Sequence, residues 1–300
     1  MPLKTVRSLR RSTVLSTKAP LILHTVAELR SHLQHVRRKQ QRIAFVPTMG
    51  NLHQGHLDLV HRAEELADHV VVSIFVNPMQ FGPHEDFDAY PRTLEADQLE
   101  LANTACAVIF APTVREVYPQ GVNTEIDVPG LSTILCGHHR PGHFKGVATV
   151  VNKLLNIVQP DVAVFGNKDY QQLQVIRTMV SDLLIPVEIV GANTTREPSG
   201  LAMSSRNAYL TDTERATAAM LYASLQRLGT ALHSGERMAS HLQAERNQLR
   251  QAGFDLDYLE IRDADDLKRS AEEAKRAVLL VAARLGKARL IDNLVIDLPD

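Results

Sequence analysis

Apolar runs alternate with segments of helical periodicity from residue 43 to about residue 192. Five of the runs lack polar alternation and predict buried strands at 43–46, 70–76, 107–111, 162–165 and 187–190. Between them, apolar residues recur three or four positions apart in 57–67, 147–158 and 173–184. Strands that are apolar on both faces and separated by helices are typical of a parallel sheet covered on both sides. The pattern therefore predicts an α/β fold with a doubly wound, Rossmann-like parallel sheet, whose ligands bind beyond the carboxyl ends of the strands.

The pattern changes after about residue 193. A capping-box sequence at Thr211 predicts the start of a long helix, and a second helix is predicted at 238–251. Short strands are predicted at 258–261, 277–283 and 288–296. Leu285-Gly286-Lys287 is a plausible tight connection between the last two. These elements favour a second, smaller α+β domain at the carboxyl terminus.

The first twenty residues differ from the rest of the chain. They contain five basic side chains and no acidic one, with serines and threonines between them. This composition is typical of an organelle transit peptide, but a disordered bacterial tail or an early start codon also explains it, and we favour that second interpretation. Ordered structure is expected from about Leu21, followed by a helix that Thr25 caps. The predicted organisation is a basic tail at 1–20, a Rossmann-like domain at 21–192 and a smaller domain at 193–300.

Charge and composition exclude several classes of protein. Lysine and arginine number 33 against 34 aspartates and glutamates, a formal net charge of −1, so general nucleic-acid binding is not expected unless the charges are strongly segregated. No apolar run approaches the roughly 18 residues that a membrane-spanning helix needs. The two cysteines, Cys106 and Cys136, are too few to staple a chain of 300 residues and fit a reducing cytosol. We therefore expect a cytoplasmic globular protein with no nucleic-acid or membrane partner.

The clearest chemical signal lies between the first core strand and its helix, in Pro47-Thr48-Met49-Gly50-Asn51-Leu52-His53-Gln54-Gly55-His56. The two glycines allow a tight turn close to a ligand, and the start of the helix suits an anion. His53 and His56 are three apart and can face one side of the first turn, where they can donate hydrogen bonds to a phosphate. Two surface histidines are one alternative. A zinc site is another, but no third ligand lies nearby in the sequence.

Amide side chains follow the second predicted strand. Asn77 and Gln80 can hold a hydroxy acid through both donor and acceptor groups without adding charge. Turn chemistry around Pro78 explains the same residues equally well.

Charged and hydroxyl side chains mark two further segments. Lys168 follows the fourth predicted strand and suits ATP phosphates, although a capped helix start from Asp169 to Gln172 is a strong alternative. Met203-Ser204-Ser205-Arg206 lies where the two predicted domains meet and can wrap a triphosphate, although a polar hinge is equally plausible.

The string from Pro47 to His56 resembles the pantothenate synthetase family, the pantoate–β-alanine ligases. Its His-x-Gly-His core is similar to the signature of nucleotidyl transferases and class I aminoacyl-tRNA synthetases. Five more motifs of the family follow in order: Phe75-Val76-Asn77-Pro78-Met79-Gln80-Phe81, Asp88-Ala89-Tyr90-Pro91-Arg92-Thr93, Arg140-Pro141-Gly142-His143-Phe144, Gly166-Asn167-Lys168-Asp169-Tyr170-Gln171-Gln172 and Gly200-Leu201-Ala202-Met203-Ser204-Ser205-Arg206-Asn207. The resemblance spans roughly residues 21 to 297, so chance does not explain it.

The resemblance implies an AMP-forming ligase that condenses (R)-pantoate with β-alanine through a pantoyl adenylate, with ATP as co-substrate and Mg²⁺, and a homodimer. It implies catalytic roles for His53, His56 and Lys168, with His53 leading. The residues it implies for ATP binding are Met49, Gly50, Asn51, Leu52, His53, Gln54, Gly55, His56, Gly166, Asn167, Lys168, Asp169, Thr195, Met203, Ser204, Ser205 and Arg206. Those for pantoate or β-alanine are Gln80, Gln172 and Asn77. Many relatives carry an acid where Asn167 stands, so no charge argument rests on that position.

Two groups have competing interpretations. Cys136, His138, His139 and His143 suggest a metal cluster, but the spacing and Pro141-Gly142 favour an exposed loop. The resemblance instead places Arg140 and His143 near the active site. It gives weak support to Asp97 as a Mg²⁺ ligand, and a solvated helix acid is the better expectation there.

Two rival functions share the His-x-Gly-His helix. One is a nucleotidyl transferase or a class I synthetase fragment, and the other is a non-catalytic nucleotide or metal sensor. A tRNA partner favours a basic carboxyl-terminal surface, whereas residues 255–273 mix both signs of charge. No base for the β-alanine ammonium can be assigned from the sequence.

Overall fold

A computed structural model describes residues 19–82, 87–268 and 274–298. The predicted basic tail at 1–20 therefore lies outside the described residues, apart from its last two positions. The described strands are β1 (Leu21–Leu23), β2 (Ile43–Thr48), β3 (His69–Ile74), β4 (Cys106–Phe110), β5 (Val162–Gly166), β6 (Glu188–Ala192), β7 (Asp255–Asp263), β8 (Arg276–Leu285) and β9 (Ala288–Asp297). The helices are α1 (Val26–Arg38), α2 (Gln54–Glu64), α3 (Leu94–Leu101), α4 (Val114–Val117), α5 (Cys136–His139), α6 (His143–Val158), α7 (Tyr170–Asp182), α8 (Asp212–Ala218), α9 (Met220–His233) and α10 (Met238–Gln251). Short 3-10 turns occupy Pro78–Gln80, Asn167–Asp169 and Ser205–Tyr209.

The first six strands form one parallel sheet in the order β1-β4-β3-β2-β5-β6. Phe45 on the central strand β2 pairs with Val71 on β3 and with Ala163 on β5. The predicted doubly wound α/β fold is confirmed. The edge strand β1 was not predicted as a strand, because its three residues are too few to show a period.

The sheet is buried on both faces, which explains the unbroken apolar runs in the sequence. Phe45 belongs to a core cluster with Leu33 of α1 and Leu154 of α6. Its neighbours on β2 point the other way, and Val46 packs in a second cluster that contains Val60 of α2. Because successive strand residues face opposite sides, both sides of β2 must be apolar.

The last three strands form a separate antiparallel sheet in the order β7-β8-β9. Its core packs Leu279 and Val281 of β8 against Leu221 and Leu225 of α9. The predicted connection between β8 and β9 is present, with Gly286 in the left-handed region at φ +55°. The single long helix predicted after Thr211 was wrong, because α8 ends at Ala218 and α9 starts at Met220.

Within the described part of the chain, we find no helix that is both long and apolar enough to cross a membrane.

Candidate active site

A cavity of about 230 Å³ opens at the carboxyl ends of the parallel strands. Fourteen residues that sequence analysis assigned to ligands line it: Met49, His53, Gly55, His56, Gln80, Gly166, Lys168, Asp169, Gln172, Thr195, Met203, Ser204, Ser205 and Arg206. They lie at or after the ends of β2, β3, β5 and β6, in loops and in the first turns of helices that are far apart in sequence. The parallel sheet brings these loop ends together at one edge, as expected for a doubly wound fold.

Six other assigned residues lie outside the lining of this cavity: Gly50, Asn51, Leu52, Gln54, Asn77 and Asn167. Asn77 is fully buried, and all its hydrogen-bonding capacity is used within the protein. Its amide NH₂ donates to Gly146 O and Gln80 Oε1, and its Oδ1 accepts from Tyr118 and from the Met79 amide. The geometry therefore places Asn77 beneath the 3-10 turn that carries Gln80, holding that turn in position.

The two histidines at the start of α2 are fixed by backbone hydrogen bonds. His53 Nδ1 accepts from the Gly55 amide at 3.1 Å, and His56 Nδ1 accepts from the His53 amide at 3.3 Å. A neutral imidazole has one donor and one acceptor nitrogen, so both rings must carry their proton on Nε2. Their ring centroids are 4.1 Å apart. The two side chains are therefore a matched pair of Nε2–H donors at the cavity.

Both imidazoles are neutral at pH 7. Burial chiefly, followed by the charge of Lys168, lowers the pKa of His53 to about 4. Burial also lowers the pKa of His56 to about 3, with smaller contributions from His53 and Lys168. Each ring is therefore an uncharged donor through Nε2–H, with Nδ1 free of a proton to accept its backbone amide.

Two glycines in this segment are required by their surroundings. Gly50 has φ +82°, and a Cβ there would lie 2.9 Å from the Asp97 carboxylate. A Cβ on Gly55 would lie 3.0 Å from the His53 ring. A larger residue at either position would displace the histidines or the carboxylate that anchors their loop.

Asp97 anchors the loop that precedes α2. Its carboxylate accepts from the Asn51 amide at 3.1 Å and from the Leu52 amide at 2.8 Å. The Thr93 hydroxyl also donates to it, at 3.3 Å. The side chain is only 2% exposed, so the expectation of a solvated helix acid was wrong. Sequence analysis missed this anchoring role because Asp97 lies 46 residues from Asn51.

Lys168 lies on a loop that the carboxyl-terminal sheet holds. The side-chain amide of Asn293 on β9 donates to the backbone oxygens of Asn167 and Lys168, at 2.9 and 2.8 Å. Asn293 is 7% exposed and lies 125 residues from Lys168, so no local pattern could indicate this contact. The helix start of the alternative interpretation is present, since α7 begins after Asp169, but the predicted cap is absent because the Asp169 side chain makes no capping bond.

The residue before Asn293 makes a second contact between the two sheets. Arg196, which follows β6, donates to both oxygens of Asp292 at 2.6 and 2.9 Å. Asp292 is 4% exposed, and the guanidinium also stacks 3.4 Å from the centre of the Tyr222 ring. Asp292 and Asn293 together join β9 to two loops of the parallel sheet. We call this pair the β9 clamp.

The predicted adenosine-side residue Thr195 contacts the helix that carries the histidines. Its hydroxyl donates to Asp58 on α2, and Gln54 donates to the same carboxylate. Ser205 makes a further link across the cavity, since its hydroxyl donates to Asn51 O at 3.3 Å.

The exposed loop expected in the segment around Cys136 is present at His138, His139, Pro141 and Gly142, whereas Cys136 itself is buried. Cys136 is buried in α5, and its sulfur lies 3.0 Å from the Tyr258 hydroxyl. Among the described residues no three His, Cys, Asp or Glu side chains are grouped to hold a metal. His143 contacts the Gln80 carbonyl through Nδ1 at 2.9 Å, and Arg140 donates to the same oxygen. These two residues therefore support the turn that presents Gln80.

Comparison with known proteins identifies the family. The family model described as pantoate-beta-alanine ligase matches residues 21–295. The chain belongs to the pantoate–β-alanine ligase family. The pantothenate synthetase of Pseudomonas fluorescens is 56% identical over 273 residues, which cover 90% of this chain and 96% of that protein. A relative from Shewanella oneidensis with the same name is 54% identical and covers 91% of this chain and 98% of its own.

Solved structures of pantoate–β-alanine ligases have the same fold. The Thermus thermophilus pantothenate synthetase superposes with a TM-score of 0.86 at 47% identity and covers 91% of this chain and 98% of its own. The Francisella tularensis enzyme, crystallised with beta-gamma ATP and beta-alanine, has a TM-score of 0.78 at 38% identity and covers 92% and 98%. The predicted family, fold and ligase activity are confirmed. The family assignment also rules out a synthetase fragment or a non-catalytic sensor.

Proposed function

We propose that this pantoate–β-alanine ligase uses the paired imidazoles and Lys168 to stabilise phosphate charge while pantoate is activated by ATP. The observation that carries the proposal is the pair of fixed Nε2–H donors in the cavity that Lys168 also lines. A free carboxylate is a poor electrophile at neutral pH, so the acid must be activated before an amine can attack it. The assignment of individual residues to ligands is part of this proposal.

In the first step a pantoate carboxylate oxygen attacks the α-phosphorus of ATP. A new O–P bond forms, the bond from the α-phosphorus to the bridging oxygen breaks, and pyrophosphate leaves with the electron pair. The enzyme must position the reactants and stabilise growing charge on the phosphate oxygens. We assign that role to His53 and His56 through Nε2–H, and to Lys168, Ser204, Ser205 and Arg206 through their cationic or hydroxyl groups.

In the second step the amine of β-alanine attacks the acyl carbon of pantoyl adenylate and expels AMP. The amine must first lose a proton. Both imidazoles at the cavity use Nδ1 to accept a backbone amide, so their ring nitrogens are not free to take it. We therefore assign this proton to solvent.

We propose that Gln80 and Gln172 hold pantoate. Both amides line the cavity, and neither adds a charge to the pocket. Gln80 Nε2 lies 2.9 Å from the Met49 sulfur, a weak acceptor that a substrate hydroxyl can replace. The carbonyl of Gln80 is held by Arg140 and His143, which keeps the turn fixed when the side chain changes partner.

The donor set near the phosphate-binding side chains fits Mg²⁺ held chiefly by the nucleotide. Mg²⁺ commonly takes one or two carboxylates together with substrate phosphates. Asp169 lines the cavity and its side chain is 46% exposed, so it can supply one carboxylate. Asp97 does not fit, because its oxygens are occupied by two backbone amides and a hydroxyl. When bound, the ion would neutralise phosphate charge.

Pantoate-dependent exchange of labelled pyrophosphate into ATP tests the proposed reaction. The exchange requires a reversible first step, so it should occur without β-alanine and cease without pantoate. Exchange that depends on another acid, or none at all with pantoate, would refute the proposal. The same assay with His53→Ala tests the assigned residues.

We also propose that the protein is cytoplasmic, that it forms a homodimer, and that its two domains divide near residue 193. The two free cysteines are both buried, which fits a reducing compartment. β6 ends at Ala192, and the strands after it pair in a sheet of their own. The dimer is supported only by the family resemblance. Sedimentation velocity at micromolar concentration tests it.

A further inference from the structure

A second cavity, of about 420 Å³, opens beside the first. Five residues line both, so the two spaces meet at the proposed phosphate-binding side chains and beside the pantoate residue Gln172: Lys168, Asp169, Gln172, Ser204 and Arg206. The far wall of the second cavity comes largely from the carboxyl-terminal sheet, including the hairpin between β8 and β9. The phosphate-binding residues therefore face one space at the strand ends and another between the two sheets.

The second cavity has an excess of positive charge. Six cationic side chains line it: Arg140, Lys168, Arg206, Arg284, Lys287 and Arg289. The carboxylates in its lining are Asp169 and Asp292, and Asp292 is already bound to Arg196. A cleft lined mainly by one sign of charge attracts and concentrates ions of the opposite sign.

Two of these cations are not committed to protein partners. Arg289 is bound to Asp257 at 2.7 Å, and Arg140 is bound to the Gln80 carbonyl. The side chains of Arg284 and Lys287, in contrast, make no hydrogen bond or ion pair with any residue that the structure describes. Lys287 lies near Glu214 and contributes, after the Thr211 hydrogen bonds, to lowering the pKa of that carboxyl. Both cations lie on the exposed hairpin at the rim of the cavity.

We propose that the second cavity receives pyrophosphate after adenylate formation, and that Arg284 and Lys287 bind it there. The inference rests on the proposed function, in which pyrophosphate leaves the α-phosphorus while pantoyl adenylate stays in the first cavity. Pyrophosphate is a small polyanion, and arginine and lysine are the side chains best suited to bind it. Moving it from Lys168 and Arg206 toward the hairpin separates it from the adenylate, which β-alanine can then attack.

The test is the pantoate-dependent exchange assay with varied pyrophosphate. In Arg284→Ala/Lys287→Ala the KM for pyrophosphate should rise about tenfold, the scale expected for lost charge-assisted contacts. The KM for pantoate should stay within about twofold of wild type, since pantoate is assigned to the first cavity. Arg284→Lys with Lys287 intact should keep most of the pyrophosphate affinity, because the charge is retained. A urea unfolding midpoint equal to that of wild type checks that the variants fold.

The matched control is Arg250→Ala, which removes an exposed arginine on α10 that does not line the cavity. An equal rise in the pyrophosphate KM in this control would show a general charge effect and overturn the proposal. An unchanged KM for pyrophosphate in the double variant would also overturn the proposal. If the double variant instead showed weaker inhibition by pantothenate or AMP and an unchanged KM for pyrophosphate, the cavity would bind an organic product, and the proposal would be wrong. If the wild-type enzyme shows no exchange, the proposed function itself fails.

Discussion

Two ring nitrogens determine what the paired histidines can do. Since Nδ1 of each ring accepts a backbone amide, each can offer only Nε2–H to a ligand. With pKa values of about 4 and 3, chiefly because of burial, both rings are neutral hydrogen-bond donors at pH 7. Their effect on the reaction should therefore be to stabilise charge through fixed dipoles.

Replacing His53 by alanine should slow adenylate formation by roughly 10²–10³, the usual loss for one charge-stabilising donor. Single-turnover formation of the pantoyl adenylate in a quench-flow experiment measures this rate. The matched control is His61→Ala on the same helix, whose ring is half-exposed and contacts Glu64. A His53→Ala rate close to that of the control would contradict the assigned role.

Replacing Gln80 or Gln172 by alanine should raise the KM for pantoate about tenfold, on the scale of one or two lost hydrogen bonds. The KM for ATP should change much less, because neither amide is assigned to the nucleotide. Steady-state kinetics with each substrate varied in turn separate the two values. Gln243→Ala, on an exposed face of α10, is the control. A larger change for ATP than for pantoate would reverse the assignment.

The sequence was informative about residues that follow a strand directly. His53, Lys168 and Gln80 each lie just after an apolar run, and parallel strands end at a common edge, so their convergence could be predicted. Asp97 and Asn293 could not be found in this way. Each acts on a loop more than 40 residues away, through contacts that exist only in the folded chain.

At the scale of elements, β9 holds the loop that carries Lys168 in position through the side chain of Asn293. Replacing Asn293 by alanine or aspartate removes both donated bonds and leaves two carbonyls with no side-chain donor. We expect the KM for ATP to rise about tenfold and the free energy of unfolding to fall by about 1–3 kcal/mol. A loss in both variants would assign the effect to the donated bonds, and Asn293→Asp should lose more than Asn293→Ala because its carboxylate would face two carbonyl oxygens.

Steady-state kinetics and urea unfolding together test this expectation. Asn247→Ala, which removes an exposed amide on α10, is the matched control. If Asn293→Asp loses stability but binds ATP normally, the residue supports only the fold. If Asn293→Asp behaves like wild type, the β9 clamp has no influence on the loop.

Element boundaries were predicted where the local pattern was strong. Segments with a clear helical period, such as 238–251 and 147–158, correspond to α10 and to most of α6. A helix was expected at Asp97, but the bounds of α3 were not predicted, because its apolar residues do not concentrate on one face. The break between α8 and α9 has no glycine or proline to mark it, so the two segments looked like one helix.

The whole molecule should lose stability below neutral pH because several partly buried histidines are held in neutral form. Burial chiefly lowers the pKa of His53 and of His69 to about 4 and that of His56 to about 3. In the unfolded chain each has a pKa near the usual value of about 6.5. Between about pH 6.5 and pH 4 the unfolded state therefore binds more protons, and the free energy of unfolding decreases as the pH falls.

Urea unfolding at several pH values tests this expectation. Each histidine contributes a slope of at most about 1.4 kcal/mol per pH unit in that window. The stabilising carboxylates Glu28 and Glu214 have a lowered pKa, chiefly through hydrogen bonds with Thr25 and Thr211, so their effect is lost only below about pH 4.5. His69→Gln should reduce the slope above pH 4.5. A flat profile from pH 7 to pH 5 would contradict the prediction.

The β9 clamp also has a consequence for how the enzyme is made. Synthesis proceeds from the amino terminus, so the parallel sheet and both histidines leave the ribosome well before Asp292 and Asn293. Until those two residues fold against it, the lysine loop lacks the donors that fix its carbonyls. We therefore expect the loop that carries Lys168 to be fixed only after the final strand has joined its sheet.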